Sequence, residues 1–178
     1  GWSTGAPEIG CLTKDPAVCM QKLPDILRRH QLPWPWPAPV VLMGRSLGGS
    51  VVGSLIGKFP DMFDGLIIDS GVANDQMQRY GDLLNWNGPH REEAEAAFKA
   101  MHDLVQQSLP LGCEVGQKLI APFGTCDCIK GYRGPVLVLH GSMDFIVPID
   151  NAHRNYQAAT NACERDLVEF PADHNSCA

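Results

Sequence analysis

The stretch Pro39-Val40-Val41-Leu42-Met43-Gly44-Arg45-Ser46-Leu47-Gly48-Gly49 decides how this chain is read. Its first half is a short apolar run of the kind that forms a buried strand. At Gly44 a G-x-S-x-G motif begins, and small and aliphatic residues continue behind it as a helix expected over 47–58. Strand, sharp turn and helix in that order push a serine side chain clear of the sheet, as a nucleophile requires. The turn must be tight, so a side chain at Gly44 or Gly48 is expected to collide with the neighbouring strand or helix. A glycine-rich turn can also cradle phosphate on helix amides. That use calls for a lysine before a Ser or Thr, and Gly49-Ser50-Val51 contains no lysine. Ser46 is therefore the candidate nucleophile.

A serine hydroxyl attacks only when a base takes its proton, so Ser46 requires a histidine oriented by a carboxylate. With this kind of turn the order along the chain is Ser, then Asp or Glu, then His. The six histidines are His30, His90, His102, His140, His153 and His174. His30 precedes Ser46, His90 and His102 fall in a polar segment, and His153 lies inside an expected helix. His140 ends the apolar run Pro135-Val136-Leu137-Val138-Leu139 and reads as a structural strand-end residue. His174 follows the strand candidate 165–170 and is the preferred base.

Asp144 lies in the loop His140-Gly141-Ser142-Met143-Asp144-Phe145-Ile146-Val147-Pro148, at the strand edge where α/β sheets place their chemistry. It is the first choice for the acid. The same residue type also binds turn amides with no catalytic role. Asp69, at the end of Gly65-Leu66-Ile67-Ile68-Asp69, reaches the same edge and is the second choice. Asp173 adjoins His174, and adjacent side chains on an extended chain point apart.

Taken together, the Ser46 turn, the HGSMDFIVP segment and the FPADHN segment resemble the α/β-hydrolase superfamily. The likeness is to its lysophospholipase-like, serine-aminopeptidase-like and depalmitoylase-like serine hydrolases. It runs from Gly1 to Asn175 and is weaker between Ala73 and Arg133. Gly1-Trp2-Ser3-Thr4-Gly5 is similar to the glycine-rich loop after that fold's fourth strand. The resemblance implies Ser46 as nucleophile, Asp144 as acid and His174 as base. It also implies a chain cut at both ends, with strands missing before Gly1. The Leu47 amide is the expected oxyanion donor from the turn, and a second donor is expected from an earlier loop. Losing one such donor lowers turnover by roughly a hundred- to a thousandfold.

The strand candidates are 39–44, 65–69, 135–140 and 165–170, and the helix candidates 15–30, 47–58, 91–108 and 149–161. This alternation predicts a parallel sheet. The expected architecture is the C-terminal part of an α/β-hydrolase fold: parallel strands, flanking helices and a helical cap-like insert over about 72–134. One domain, 1–178, is expected, since 178 residues with 44% apolar content suffice for one core. Strand 39–44 is expected to present an unpaired edge. The insert holds an amphipathic pattern at Arg91–Val105 and is either a cap over the site or an ordinary covering helix. Leu32-Pro33-Trp34-Pro35-Trp36-Pro37-Ala38-Pro39 can be neither helix nor central strand and reads as a stiff connector.

A net charge of −6, with no basic cluster beyond Arg28-Arg29, speaks against nucleic acid as a partner. No apolar run reaches the length of a membrane span. Membrane association stays open, because a signal or anchor before Gly1 is outside the sequence. The seven cysteines, at 11, 19, 113, 126, 128, 163 and 177, form no C-x-x-C pair. A reduced, intracellular protein is expected, cytoplasmic or membrane-associated; a Cys163–Cys177 disulfide is the extracellular alternative. No cofactor or metal is called for, although Cys113, Cys126 and Cys128 could supply three ligands at atypical spacing. The expected function is hydrolysis of an acyl ester, thioester or amide in a small-molecule or acylated substrate. Acyl transfer, or a non-catalytic binding protein of the same fold, are the alternatives.

Overall fold

The computed structural model describes residues 11–73, 92, 96 and 124–176. Four parallel strands form one sheet in the order β1-β2-β3-β4: β1 Val41–Arg45, β2 Gly65–Asp69, β3 Val136–Gly141 and β4 Arg165–Phe170. The helices are α1 Cys11–Arg29, α2 Leu47–Lys58, α3 Thr125–Ile129 and α4 Asp150–Ala158, with a 3-10 turn at Pro60–Met62. The expected alternation and the parallel sheet are both present. α1 starts at Cys11 rather than at 15, so that Pro16 and Pro24 both lie inside it, and α3 is a helix outside the expected four.

Why the core sits on one face follows from the period-two pattern of β2 and β3. Leu66, Ile68, Val136 and Val138 are no more than 3% exposed and pack with Val52, Leu55, Ile56 and Ile129. Burying a side chain of this size stabilises the fold by about 1.5–3 kcal/mol. α2 packs on β1 and β2, α4 packs on β3 and β4, and α3 touches both helices. These three helices thus form a row over the sheet. Residues of the opposite parity, Ile67, Leu137 and Leu139, are only half-buried among the described residues. The outer strands differ from the inner pair. β4 carries Arg165, Asp166 and Glu169 among its six residues, and among the described residues only its β3 side is paired. On β1, Val41 and Met43 are 52% and 56% exposed, and the strand is paired on the β2 side alone among the described residues.

Val72, Ala73 and residues 124–134, the two ends of the segment read as a cap-like insert, belong to this core. Ile129 and Tyr132 are buried, Tyr132 donates to the Phe63 carbonyl, and the Thr125 hydroxyl donates to the Val72 carbonyl at 2.7 Å. The amphipathic pattern of 91–105 lies outside the described residues, apart from Glu92 and Ala96. The 32–39 connector is neither helix nor strand, as its prolines require. Its Trp34 and Trp36 border an apolar groove of about 380 Å³ whose opposite wall is Met20, Leu23, Met62 and Phe63.

Candidate active site

Ser46 is the hinge between β1 and α2, with φ 52° and ψ −121°. An L-residue is held in that sparsely populated region only where its surroundings over-determine it. Here the Ser46 amide donates to the Asp69 carbonyl at 2.9 Å, and the Gly49 amide donates back to the Ser46 carbonyl. Gly44 is required for the expected reason. A Cβ there would lie 2.6 Å from Val52 Cγ2 and closer still to the Gly48 carbonyl oxygen. Gly48 is a correction: among the described residues a Cβ on it meets nothing within 4 Å. The second crowded glycine is Gly49, whose Cβ would lie 2.9 Å from Gly71 Cα, where α2 crosses the loop after β2.

That loop is fixed by α4 through two buried asparagines. Asn151 Oδ1 accepts from the Ala73 amide, and Asn155 Nδ2 donates to the Gly71 carbonyl at 3.1 Å. The inserted α3 adds the Thr125 hydroxyl, which bonds Ser50 Oγ as well as Val72. Each such bond is worth about 1 kcal/mol net, and leaving one of its buried partners unmade costs more than that.

Asp144 is 5% exposed, in the loop after β3. Its Oδ1 accepts from the amides of Ile146 and Val147 at 3.0 and 2.8 Å, which fixes the carboxylate plane. Oδ2 is thereby left facing His174 Nδ1 at 2.6 Å. Since a carboxylate oxygen accepts, Nδ1 carries the hydrogen and Nε2 is the basic nitrogen. Ser46 Oγ lies 3.0 Å from that Nε2. Ser46, His174 and Asp144 are therefore in one hydrogen-bonded line with His174 in the middle, although along the chain they follow the order Ser, Asp, His.

The other candidates have different partners. Asp69 Oδ1 accepts from the Ser70 hydroxyl, and Oδ2 lies 3.7 Å from Arg45 Nε, so its carboxylate turns toward β1 and not toward His174. Exposed Asp173 accepts from Ser176 Oγ and the amides of Asn175 and Ser176, and these bonds hold its carboxyl below the usual range. His153 on α4 pairs with Glu169 of β4 at 2.9 Å. His30 ends α1 in a solvent-exposed turn, and His90 and His102 lie outside the described residues. Cys113 and Cys177 also lie outside them, whereas Cys163 is an exposed free thiol. Burial, reinforced by Asp127, pushes the Cys126 thiol up to about 11, and burial raises Cys128 likewise. Among the described residues no three His, Cys, Asp or Glu side chains are grouped to hold a metal ion, and no helix is long and apolar enough to cross a membrane.

One participant was not singled out in the sequence. Arg45, the variable residue inside G-x-S-x-G, donates through Nη2 to the His174 carbonyl at 2.6 Å. It ties the strand that ends in Ser46 to the loop that carries His174. The only hint in the sequence is a charged residue at the mouth of an otherwise apolar strand.

A parallel sheet whose first strand ends in a strained serine, with an acid and a histidine on later strand ends, is the α/β-hydrolase fold. Residues 31–172 match the model of the prolyl oligopeptidase family, and the chain belongs to that family. The fold recurs in the esterase domain of a Rhodothermus marinus protein: 22% identity, TM-score 0.51, covering 87% of this chain and 57% of that one. A monoacylglycerol lipase from Paleococcus ferrophilus gives 19% identity and TM-score 0.52, over 88% of this chain and 66% of that one. A Mycobacterium tuberculosis puromycin-hydrolyzing peptidase gives 20% and 0.58, over 86% and 21%. The chain thus spans less than two thirds of the length of each of these proteins. Comparison with curated protein sequences gives no match.

Proposed function

We propose that the protein is a serine hydrolase that cleaves an acyl ester, thioester or amide through an acyl-enzyme on Ser46. The observation that carries this reading is the unbroken line from Asp144 Oδ2 through His174 Nδ1 and Nε2 to Ser46 Oγ, at 2.6 and 3.0 Å. His174 Nε2 takes the Ser46 hydroxyl proton as Oγ bonds to the substrate carbonyl carbon. Asp144 does not take a proton; its charge stabilises the imidazolium and its geometry holds the Nδ1–H tautomer. The Leu47 amide is the first donor of α2, at a helix start where N–H groups lack intrahelical partners and the dipole favours negative charge. It serves as one oxyanion donor. The imidazolium then returns its proton to the departing alcohol, thiol or amine, and water repeats the sequence to free the acid and Ser46. Arg45 is a positioning residue, setting where the His174 backbone stands relative to Ser46.

A fluorophosphonate probe tests this assignment directly. The protein is expected to be labelled, with the adduct on the peptide containing Ser46, and Ser46→Ala is expected to abolish labelling. Equal labelling of a folded Ser46→Ala protein would place the nucleophile elsewhere.

A further inference from the structure

Two imidazoles, not one, face Asp144. His140 at the end of β3 is fully buried, and its Nε2 lies 3.5 Å from Asp144 Oδ2, the oxygen that also faces His174 at 2.6 Å. The line of proton transfer does not use it. Its stronger partner is the Val147 carbonyl, at 2.7 Å from the same Nε2. A carbonyl can only accept, so Nε2 carries the hydrogen and Nδ1 is left with a lone pair. Among the described residues Nδ1 is buried with no hydrogen-bond partner.

We propose that His140 is a positioning residue, held as a permanently neutral Nε2–H imidazole that clamps the acid loop and keeps Asp144 for His174. The inference rests on the proposed roles of Ser46, His174 and Asp144. The clamp acts on a closed ring of contacts. Val147 gives its amide to Asp144 Oδ1 and its carbonyl to His140, so the peptide that orients the carboxylate is itself anchored to the sheet. Protonating Nδ1 would bury an N–H donor with no acceptor, a penalty beyond that of burying the charge itself. It would also set a cation against Oδ2, in competition with the imidazolium that His174 becomes.

The surrounding charges leave the balance with neutrality. Asp144 and, more distantly, Asp69 favour a charged His140, whereas His174 opposes it. Glu169, in register with His140 on β4, is turned to His153, and Arg45 lies beside Asp69. Burial outweighs the Val147 carbonyl and the two carboxylates, all of which favour the charged form, and holds the His140 pKa below its ordinary value.

The test is an NMR titration of the 15N-histidine-labelled protein together with two variants, His140→Gln and His140→Phe. His140 is expected to keep the Nε2–H pattern of nitrogen shifts from pH 8 to pH 5. Titration near its ordinary midpoint, or an Nδ1–H pattern, would overturn the proposal. His140→Gln keeps an N–H donor at similar reach and is expected to hold kcat within about threefold of the parent. His140→Phe fills the space without a donor and is expected to lower kcat by roughly ten- to a hundredfold with KM within about twofold, as small misplacements in a reacting line do. A folded His140→Phe protein with the parent kcat would overturn the clamp.

Stability gives a separate reading. A buried histidine with a lowered pKa contributes stability above its unfolded value, about 6.5, that is lost as pH falls below it. The Tm of the parent is therefore expected to drop relative to that of His140→Gln between pH 7 and pH 5; parallel curves would count against a neutral His140. An absence of fluorophosphonate labelling in the parent would defeat the Ser46 assignment, while the titration and stability results would still report on His140.

Discussion

β2 and β3 end at the same edge of the sheet, each with a buried aspartate there, Asp69 as the last residue of β2 and Asp144 in the loop after β3, yet only Asp144 reaches His174. Asp144 receives two amides from its own loop on Oδ1, so Oδ2 is aimed outward in a fixed plane. Asp69 receives the Ser70 hydroxyl and the distant Arg45 guanidinium, while its backbone carbonyl holds the Ser46 amide. One strand end thus holds the carboxylate that meets His174, and the other holds the Ser46 amide. Both are needed at the same edge, which is why residue type and strand position alone do not tell them apart. What separates them is where the surrounding donors point.

The most direct way to break the comparison is to neutralise each carboxylate in turn. Asp144→Asn is expected to lower kcat by about four orders of magnitude, because an amide at that position no longer holds the Nδ1–H tautomer of His174. Asp69→Asn should lose roughly tenfold or less, since its carbonyl still receives the Ser46 amide. Steady-state hydrolysis of p-nitrophenyl acetate, with circular dichroism to establish folding, measures both. A larger loss in Asp69→Asn would exchange the two roles.

Much of this arrangement is legible in the sequence because it is carried by local chemistry. The first three strands, α2 and the Ser46 turn follow from apolar runs beside glycine, and the order Ser46, Asp144, His174 orders the candidates before any geometry is known. Three features are not legible. Arg45 acts across 129 positions on a backbone carbonyl, and such a contact leaves no mark in spacing or pattern. His140 looks like any strand-end residue until its two nitrogens are seen to have unequal surroundings. Gly48 belongs to the motif, yet Gly49 is the residue pressed against Gly71, because helix approach depends on which way α2 rotates as it leaves the turn.

A smaller effect sharpens the role given to the β2 side. Arg45→Met keeps the length of the side chain but removes the donor to the His174 carbonyl and the charge beside Asp69. The expected loss is about tenfold in kcat, with KM little changed, because the histidine loop is loosened and not removed. Arg45→Lys, a point charge without the planar fork, should recover only part of it. Pre-steady-state labelling by a fluorophosphonate reads the same loss at the first chemical step. An unchanged labelling rate in Arg45→Met would mean that the 2.6 Å contact holds nothing that matters to Ser46.

The smallest expected effect lies at the turn itself, where two glycines of one motif have opposite surroundings. A methyl group on Gly44 must enter space already held by the Gly48 carbonyl and Val52, so the turn or α2 has to move. Gly44→Ala is accordingly expected to lose about 1–3 kcal/mol of stability, as overpacked sites do, and to misplace Ser46. Gly48→Ala meets no atom of the described residues within 4 Å and lies in α2, where alanine restricts the unfolded chain more than glycine does. It should leave stability unchanged or raise it by up to about 1 kcal/mol. Thermal denaturation of the two variants side by side distinguishes them, with the midpoint falling for Gly44→Ala and holding or rising for Gly48→Ala. A Gly48→Ala protein as unstable as Gly44→Ala would show that the turn is constrained at both glycines, and that the open space beside Gly48 is filled when the protein is folded in solution.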